Sequence, residues 1–221
     1  MSVLPPNDSE RSRGQRVELE QALARVRTQL GPLSPAPPDR RLGWLLLAAP
    51  AAATAVWAVF LAQHGPRADA ARLGPLWLTA GTVLGVATAG ALLLLSLRLT
   101  VPARGLPLAT CLAACGAALA THVATAAAFH ARSAEAVPAG DEMAVGLFCF
   151  RHQLWVAAPA LLLALWLHHR GVPQLPARRG LLAATGAGLL ANALWTLVCP
   201  FTAPAHVWPA HLGVAVVLAI A

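Results

Sequence analysis

The feature that most constrains this chain is a series of six apolar runs that begins at Leu42. The runs are approximately 42–62, 75–97, 106–129, 145–167, 181–198 and 207–221. A helix needs about 20 apolar residues to cross a membrane; the first four runs meet this length easily and the fifth adequately. The sixth run is short. The pattern predicts an all-α, polytopic membrane protein with six transmembrane helices.

Composition supports the membrane class. Charged residues make up 11% of the chain, whereas soluble domains carry about 25%. The net charge is +7, and no lysine contributes to it. A nucleic-acid-binding domain usually gathers such charge on one soluble face, but here the arginines lie in the N-terminal tail and at the ends of the apolar runs. We therefore interpret them as topology signals and expect no direct contact with nucleic acid.

The distribution of arginine between the connections predicts the orientation. Cytoplasmic connections carry an excess of basic residues. With the N-terminus inside, the inner connections would hold Arg40, Arg41, Arg98, Arg104, Arg170, Arg178 and Arg179, and the outer ones would hold Arg67, Arg72 and Arg132. Seven inner arginines against three outer ones favour a cytoplasmic N-terminus and a cytoplasmic C-terminus.

The first 41 residues differ from the rest, because they are polar and rich in proline. They contain no apolar core, so we expect no cleavable signal peptide. A short amphipathic helix is predicted over about residues 12–30, followed by a proline-rich linker over 31–41. Its apolar residues recur at spacings of 4, 3 and 4 and form one narrow stripe: Leu19, Leu23, Val26 and Leu30.

The predicted domain division is a cytoplasmic segment, 1–41, and a transmembrane domain, 42–221. An isolated helix of this length is marginal in water, so something should cover the stripe. The stripe is narrow and the other face carries both charge signs, which favours binding to a partner protein over lying on the inner leaflet.

A group of cysteine and histidine residues falls at the predicted outer ends of the last three spans. Cys149 and His152 are three residues apart, Cys199 closes the fifth run, and His206 and His211 open the sixth. Three interpretations stay open. Cys149, Cys199 and His206 are competent ligands for zinc or another soft metal. The two thiols facing an oxidising compartment could form a disulfide. Both cysteines could also be ordinary packing residues.

Other polar residues in the apolar runs carry weaker signals. Arg151 is a charge within an apolar run, and such charges are often functional, although it is close enough to the interface to reach it. Cys111 and Cys115 are expected to lie deeper, as packing residues, and His122 is interpreted in the same way. The sequence contains no nucleophile elbow, HExxH, Walker loop or dinucleotide motif, so we do not expect an enzyme.

Four segments carry a resemblance to a known family. They are LEQALARVRTQLGPLSP near the start, Cys149 with Pro159, the inner connection and fifth run HHRGVPQLPARRGLLAATGAGLLANAL, and VCPFTAPAHVWPAH at the last hairpin. With six spans and a cytoplasmic helix, the chain resembles the six-span inner-membrane anti-sigma factors of the NrsF kind. The chain departs from that pattern in having no basic tail after the last span.

The resemblance implies a function. The N-terminal helix would bind an extracytoplasmic-function sigma factor and hold it at the bacterial inner membrane, away from RNA polymerase. Cys149 and Cys199 would correspond to the outer cysteines that sense oxidative or metal stress, with His152, His206 and Arg151 as further sensing candidates. One branch of such regulators represses light-induced carotenoid synthesis, and the Ala/Arg-rich composition is compatible with it. No cofactor is implied.

A different class of function stays open from the residues alone. The alternative is a small membrane protein, enzyme or transporter, that handles redox equivalents or a metal ion through the outer Cys/His group. The two hypotheses of function differ in the part of the chain that they require. An anti-sigma factor needs the N-terminal helix, whereas a redox or metal-handling protein would work without residues 1–38.

Overall fold

The computed structural model describes residues 18, 20–22, 24–25, 40–99, 105–133, 142–170, 176–199 and 206–220. This part of the chain is helical and contains no strand, which confirms the predicted all-α class. Its helices are α1 (Arg40–His64), α2 (Ala70–Leu73), α3 (Pro75–Arg98), α4 (Leu108–Ser133), α5 (Glu142–Arg170), α6 (Pro176–Trp195), a π-helical segment (Val207–Leu212) and α7 (Gly213–Ile220). The chain divides into two compact units, Met1–Leu42 and Gly43–Ala221.

Glycine and proline set the boundaries of the first helices. Gly65 follows α1 with φ 75°, and its N–H donates to the carbonyl of Leu61 at 2.8 Å. Gly74 has φ 79° and separates α2 from α3. A positive φ costs glycine little, because it has no Cβ. Pro75 then opens α3, where its missing N–H would have had no helical partner.

Three helices of the described chain are long and apolar enough to cross a membrane: Pro75–Arg98, Leu108–Arg132 and Met143–His169. Val207–Ile220 is apolar but shorter. These helices present large apolar side chains to the outside, including Leu84, Leu112 and Leu162, which are 49%, 53% and 65% exposed. A protein in water rarely exposes so much apolar surface on successive helices, whereas hydrocarbon accepts it without cost.

Helix α6 is the centre of the second unit. Every residue from Leu182 to Trp195 is buried, and α6 packs against α3, α4, α5, the π-helical segment and α7. Its sequence, LAATGAGLLANALW, is rich in small residues, which let neighbouring backbones approach closely where apolar surface alone gives no driving force. The helix is central because its side chains are small on several sides.

Two glycines show how close these approaches are. A Cβ added to Gly188 would lie 2.5 Å from Ala215 Cα, on α7. A Cβ added to Gly186 would lie 3.0 Å from the carbonyl oxygen of Ala89, on α3. Backbone meets backbone or nearly so at both contacts, so α6 fixes the spacing of its two neighbours.

The first unit is described only in part. Glu18, Glu20, Gln21, Ala22, Ala24 and Arg25 are helical and exposed. The four residues of the predicted apolar stripe, Leu19, Leu23, Val26 and Leu30, lie outside the described residues, so their role stays a prediction.

Candidate Cys/His site

Two thiols and two imidazoles meet at one end of the helix bundle. Cys149 comes from α5, Cys199 follows the last turn of α6, His206 precedes the π-helical segment and His211 lies within it. One ligand atom from each of the four side chains lies within 4.8 Å of the other three. All four residues are buried, with exposures of 2–5%. We call this group the Cys/His cluster.

Three close separations link the members of the cluster in series. The Sγ atoms of Cys149 and Cys199 are 3.6 Å apart, well beyond the ~2.05 Å of a disulfide bond. Cys199 Sγ lies 3.5 Å from His206 Nε2. His206 Nε2 lies 3.2 Å from His211 Nε2. Soft sulfur and borderline nitrogen donors therefore face one another without an intervening side chain.

The irregular start of the last run explains how both histidines reach the cluster. Gly213 N–H donates to the carbonyl of Trp208, five residues earlier, as in a π-helix. Residues five apart lie about 140° from each other around an α-helix and would face different neighbours. The wider π turn brings His206 and His211 to the same side. Pro209 lies inside this segment and has no N–H to donate, so it does not support the tighter α pattern.

An apolar wall surrounds the thiols. Cys149 and Cys199 pack with Trp195, Val198 and Ala210. Trp195 is 1% exposed. Such surroundings exclude water and lower the local dielectric, which strengthens every polar interaction inside the cluster and raises the cost of any uncompensated charge.

A buried amide holds the π-helical segment against α5. Gln153 Nε2 donates to the carbonyl of Ala210 at 3.3 Å. Gln153 is fully buried and lies one turn along α5 from Cys149. The bond fixes the position of the π-helical segment along the axis of α5. It therefore also fixes the position of His211 along that axis relative to Cys149.

An ion pair lies beside the cluster. Arg67 and Asp69 are 3% and 2% exposed and form two contacts, Nε to Oδ1 at 2.5 Å and Nη2 to Oδ2 at 2.8 Å. Arg67 Nη1 also donates to the carbonyl of Thr196, just before Cys199, at 2.9 Å. The loop after α1 is thereby attached to the end of α6.

A small cavity continues from the cluster into the bundle. It has a volume of about 20 Å³ and is lined by Arg67, Cys199 and His211 at one end and by His122 and Asn192 at the other. Asn192 Nδ2 and His122 Nδ1 are 2.8 Å apart, and Thr88 Oγ1 is 3.4 Å from His122 Nε2. This volume suits about one water molecule. His122 is therefore a hydrogen-bonded packing residue, as the sequence indicated.

The remaining candidates lie outside the cluster. His152 contacts the rings of Phe60, Phe148 and Trp195, and its Nδ1 is 2.7 Å from the carbonyl oxygen of Phe148. Arg151 is exposed. Cys149 and His152 are three positions apart in sequence, yet Cys149 faces the cluster and His152 faces the rings of Phe60, Phe148 and Trp195.

The two deeper cysteines behave differently from Cys149 and Cys199. Cys111 is buried and Cys115 is partly buried, and both pack in the main apolar core around α6. They belong to a different packing region from the cluster and do not meet Cys149 or Cys199; their expected depth in the membrane stays a prediction.

Two contributors were missed by reasoning from the sequence. His211 was noted but not assigned as a ligand, because a five-residue spacing does not bring two side chains together on an α-helix. Gln153 was not singled out at all. The sequence signal for His211 was Pro209, which lies between the two histidines and has no N–H for a regular helical bond.

Comparison with protein-family models, with curated proteins and with solved structures gave no match to this chain.

Proposed function

We propose that this chain is an anti-sigma factor of the bacterial inner membrane. Its N-terminal segment binds an extracytoplasmic-function sigma factor and keeps it from RNA polymerase. The support comes from the sequence segments that resemble anti-sigma factors of the NrsF kind. The observation that carries most weight is the division of the chain into a separate N-terminal unit, Met1–Leu42, and a helical unit with three spanning-length apolar helices.

The topology belongs to the same proposal. Six helices span the membrane, with both termini in the cytoplasm, so that the N-terminal unit faces the compartment in which sigma factors act. The arginine distribution supports this orientation. The N-terminal residues that are described include an exposed helical surface of mixed charge, with Glu18, Glu20 and Arg25. That surface is compatible with a helix that buries its other face against a partner.

The Cys/His cluster supplies the signalling element of the proposal. An oxidative, metal or light-derived signal acts at Cys149 and Cys199 and releases the sigma factor through movement of the helices. The cluster joins α5, the end of α6 and the last helical run, so a change in its chemistry alters the contacts of three elements together. Elements with two discrete arrangements are the physical basis of such coupling.

The direct test of partner binding is a charge placed in the apolar stripe. The full-length chain, tagged and purified in mild detergent from its host, should capture a sigma factor identifiable by mass spectrometry. Leu23→Asp should lose the capture, because a carboxylate cannot be buried unpaired in an apolar contact. Gln21→Asp is the matched control: Gln21 is exposed, and two residues along an α-helix correspond to a rotation of roughly 160°, so the predicted stripe would face away from it.

The same experiment tests release. Treating the captured complex with a thiol oxidant or with a thiophilic metal should free the sigma factor, and the Cys199→Ala chain should respond less. Equal capture by the Leu23→Asp and wild-type chains would rule out the stripe as the docking surface. A complex unchanged by every treatment would rule out the cysteines as the sensor.

A second candidate function is a small membrane redox or metal-handling protein. The observation that favours it is the Cys/His cluster itself, which needs no partner protein. Deleting residues 1–38 separates the two functions. An anti-sigma factor loses all activity with that deletion, whereas a redox or metal-handling protein keeps its activity.

A further inference from the structure

We propose that Cys149, Cys199, His206 and His211 bind one resident divalent ion of the zinc class, in a tetrahedral site with no open coordination position. The four residues include two thiols and two imidazoles, a ligand set common in structural zinc sites. This inference is independent of sigma-factor binding, since it concerns only the second compact unit.

The distances match the edges of a tetrahedron around such an ion. Bond lengths of about 2.3 Å to sulfur and about 2.0–2.1 Å to nitrogen give edges near 3.8 Å for S–S, 3.6 Å for S–N and 3.4 Å for N–N. The corresponding separations here are 3.6, 3.5 and 3.2 Å. The longest separation in the set is at most 4.8 Å, so closure around an ion needs movements of about 1 Å or less.

Charge and burial also favour an ion. The four residues are at most 5% exposed, and a thiolate in such surroundings is costly unless it is neutralised. Two thiolates, two neutral imidazoles and one divalent cation together carry no net charge. The neighbouring Arg67 guanidinium is already balanced by Asp69, so it leaves this neutrality unchanged.

The number of ligands and the shape of the surroundings define the class of site. Catalytic zinc sites use three protein ligands and leave a position for water or substrate. Here four protein ligands converge and fill a tetrahedral set, which leaves no position on the ion for water or substrate. The ion therefore has a structural or regulatory role, in which it joins α5, the end of α6 and the π-helical segment.

An entry route is present. A cleft of about 370 Å³ lies between α5 and the π-helical segment, and His206 forms part of its wall with Phe150 and Pro209. Of the four ligands, only His206 lines this cleft, so an ion that enters from it would meet His206 first. His206 would therefore be the first ligand to bind and the first to be released.

Two other chemistries make different predictions from the same four residues. A disulfide between Cys149 and Cys199 would consume both thiols and leave no metal. A hydrogen-bonded cluster of thiols and imidazoles would keep both thiols reactive and would also hold no metal. Metal content and thiol state together distinguish the three.

The experiment uses the full-length chain, purified in detergent through a tag that contains no histidine. We expect about one zinc ion per chain by inductively coupled plasma mass spectrometry. Removal of the zinc with a chelator followed by titration with Co²⁺ should produce the strong visible absorption of tetrahedral cobalt and a thiolate charge-transfer band. Bound metal should also protect Cys149 and Cys199 from alkylation.

Paired variants locate the site. Cys199→Ser and His211→Asn should lose most of the bound metal and the cobalt spectrum. Cys111→Ser and His152→Asn should keep the metal and the cobalt spectrum. Cys111 is a buried cysteine of the main core. His152 is on α5, close in sequence to Cys149, but its ring faces Trp195. Circular dichroism of each variant reports whether its helices are retained.

Several outcomes overturn the inference; the first two are measured on the wild-type chain, and the third applies to variants whose circular dichroism shows that the helices are retained. A wild-type chain that holds no metal, gives no cobalt spectrum and is alkylated at both Cys149 and Cys199 would indicate a hydrogen-bonded cluster. Wild-type chain with no metal and a Cys149–Cys199 linkage in peptide mapping would indicate a disulfide. Metal that is lost equally in the Cys111→Ser and Cys199→Ser chains would place the ion elsewhere.

Discussion

At the scale of single residues, the Arg67–Asp69 pair shows that charged residues in the loop after α1 can be buried. From the sequence alone, Arg67 is one of three arginines in the predicted outer connections. In the structure it is 3% exposed, bonds both carboxylate oxygens of Asp69 and donates to Thr196. Buried pairs add little net stability over apolar residues of the same size, but removing one partner leaves an uncompensated charge.

Asp69→Asn should therefore destabilise the folded chain by about 3–5 kcal/mol, because Arg67 would stay buried without its counter-charge. Denaturant unfolding of the purified protein in detergent measures the change. The double variant Arg67→Met with Asp69→Leu serves as control and should recover most of the loss, since no charge remains buried. A double variant as unstable as the single one would show that the hydrogen bond to Thr196, rather than the charge balance, is the main contribution.

The residues of the Cys/His cluster show the limit of reading a sequence alone. Their types and their place at the predicted outer ends of three spans were sufficient to bring Cys149, Cys199 and His206 together. His211 needed knowledge of a π turn, and a π turn depends on tertiary contacts such as the bond from Gln153 to Ala210. His152 is three positions from Cys149, but its ring packs against Phe60 and Trp195 and lies outside the cluster.

At the scale of helices, apolar runs located the elements well. The run 75–97 corresponds to α3 at Pro75–Arg98, and 145–167 corresponds to α5 at Glu142–Arg170. Helix ends extend beyond the apolar runs because polar residues can also form the last turn. The sequence does not predict which helices pack together, because the same small residues that fit α6 against α3 would fit it against any helix.

The contact between α6 and α7 gives a test at this scale. Gly188→Ala should destabilise the bundle by about 1–3 kcal/mol, because the new Cβ would overlap Ala215 and force the two helices apart. Gly90→Ala is the matched control: it is also a helical glycine, and no atom lies within 4 Å of an added Cβ. Alanine there should be neutral or slightly stabilising.

Thermal unfolding of the two variants in the same detergent provides the comparison. Gly188→Ala should also weaken metal binding, since α7 continues directly from the segment that carries His211. Equal melting temperatures for the two alanine variants would mean that α6 and α7 are not in close contact in the membrane.

At the scale of the whole molecule, the exposed apolar surfaces and the arginine distribution together lead to the proposed topology. Alkaline phosphatase fused after residue 138, in the predicted outer connection between the runs 106–129 and 145–167, should be active, because that enzyme matures only outside the cytoplasm. Fusions after residue 102 or residue 174 should be inactive, and green fluorescent protein at the same two positions should fluoresce. The opposite pattern would place the N-terminal unit outside and would exclude sigma-factor binding.

The central position of α6 has a consequence for biosynthesis. Translation delivers α3, α4 and α5 before the helix that they all pack against, and Arg67 must wait for an acceptor, Thr196, that is 129 residues further along the chain. Until α6 is made, the faces of α3, α4 and α5 that pack against it have no partner. We expect arrested chains that end at residue 174 to be cut by protease at many sites, and chains that reach residue 221 to resist it. That result would mean that the bundle is completed only when α6 joins the helices made before it.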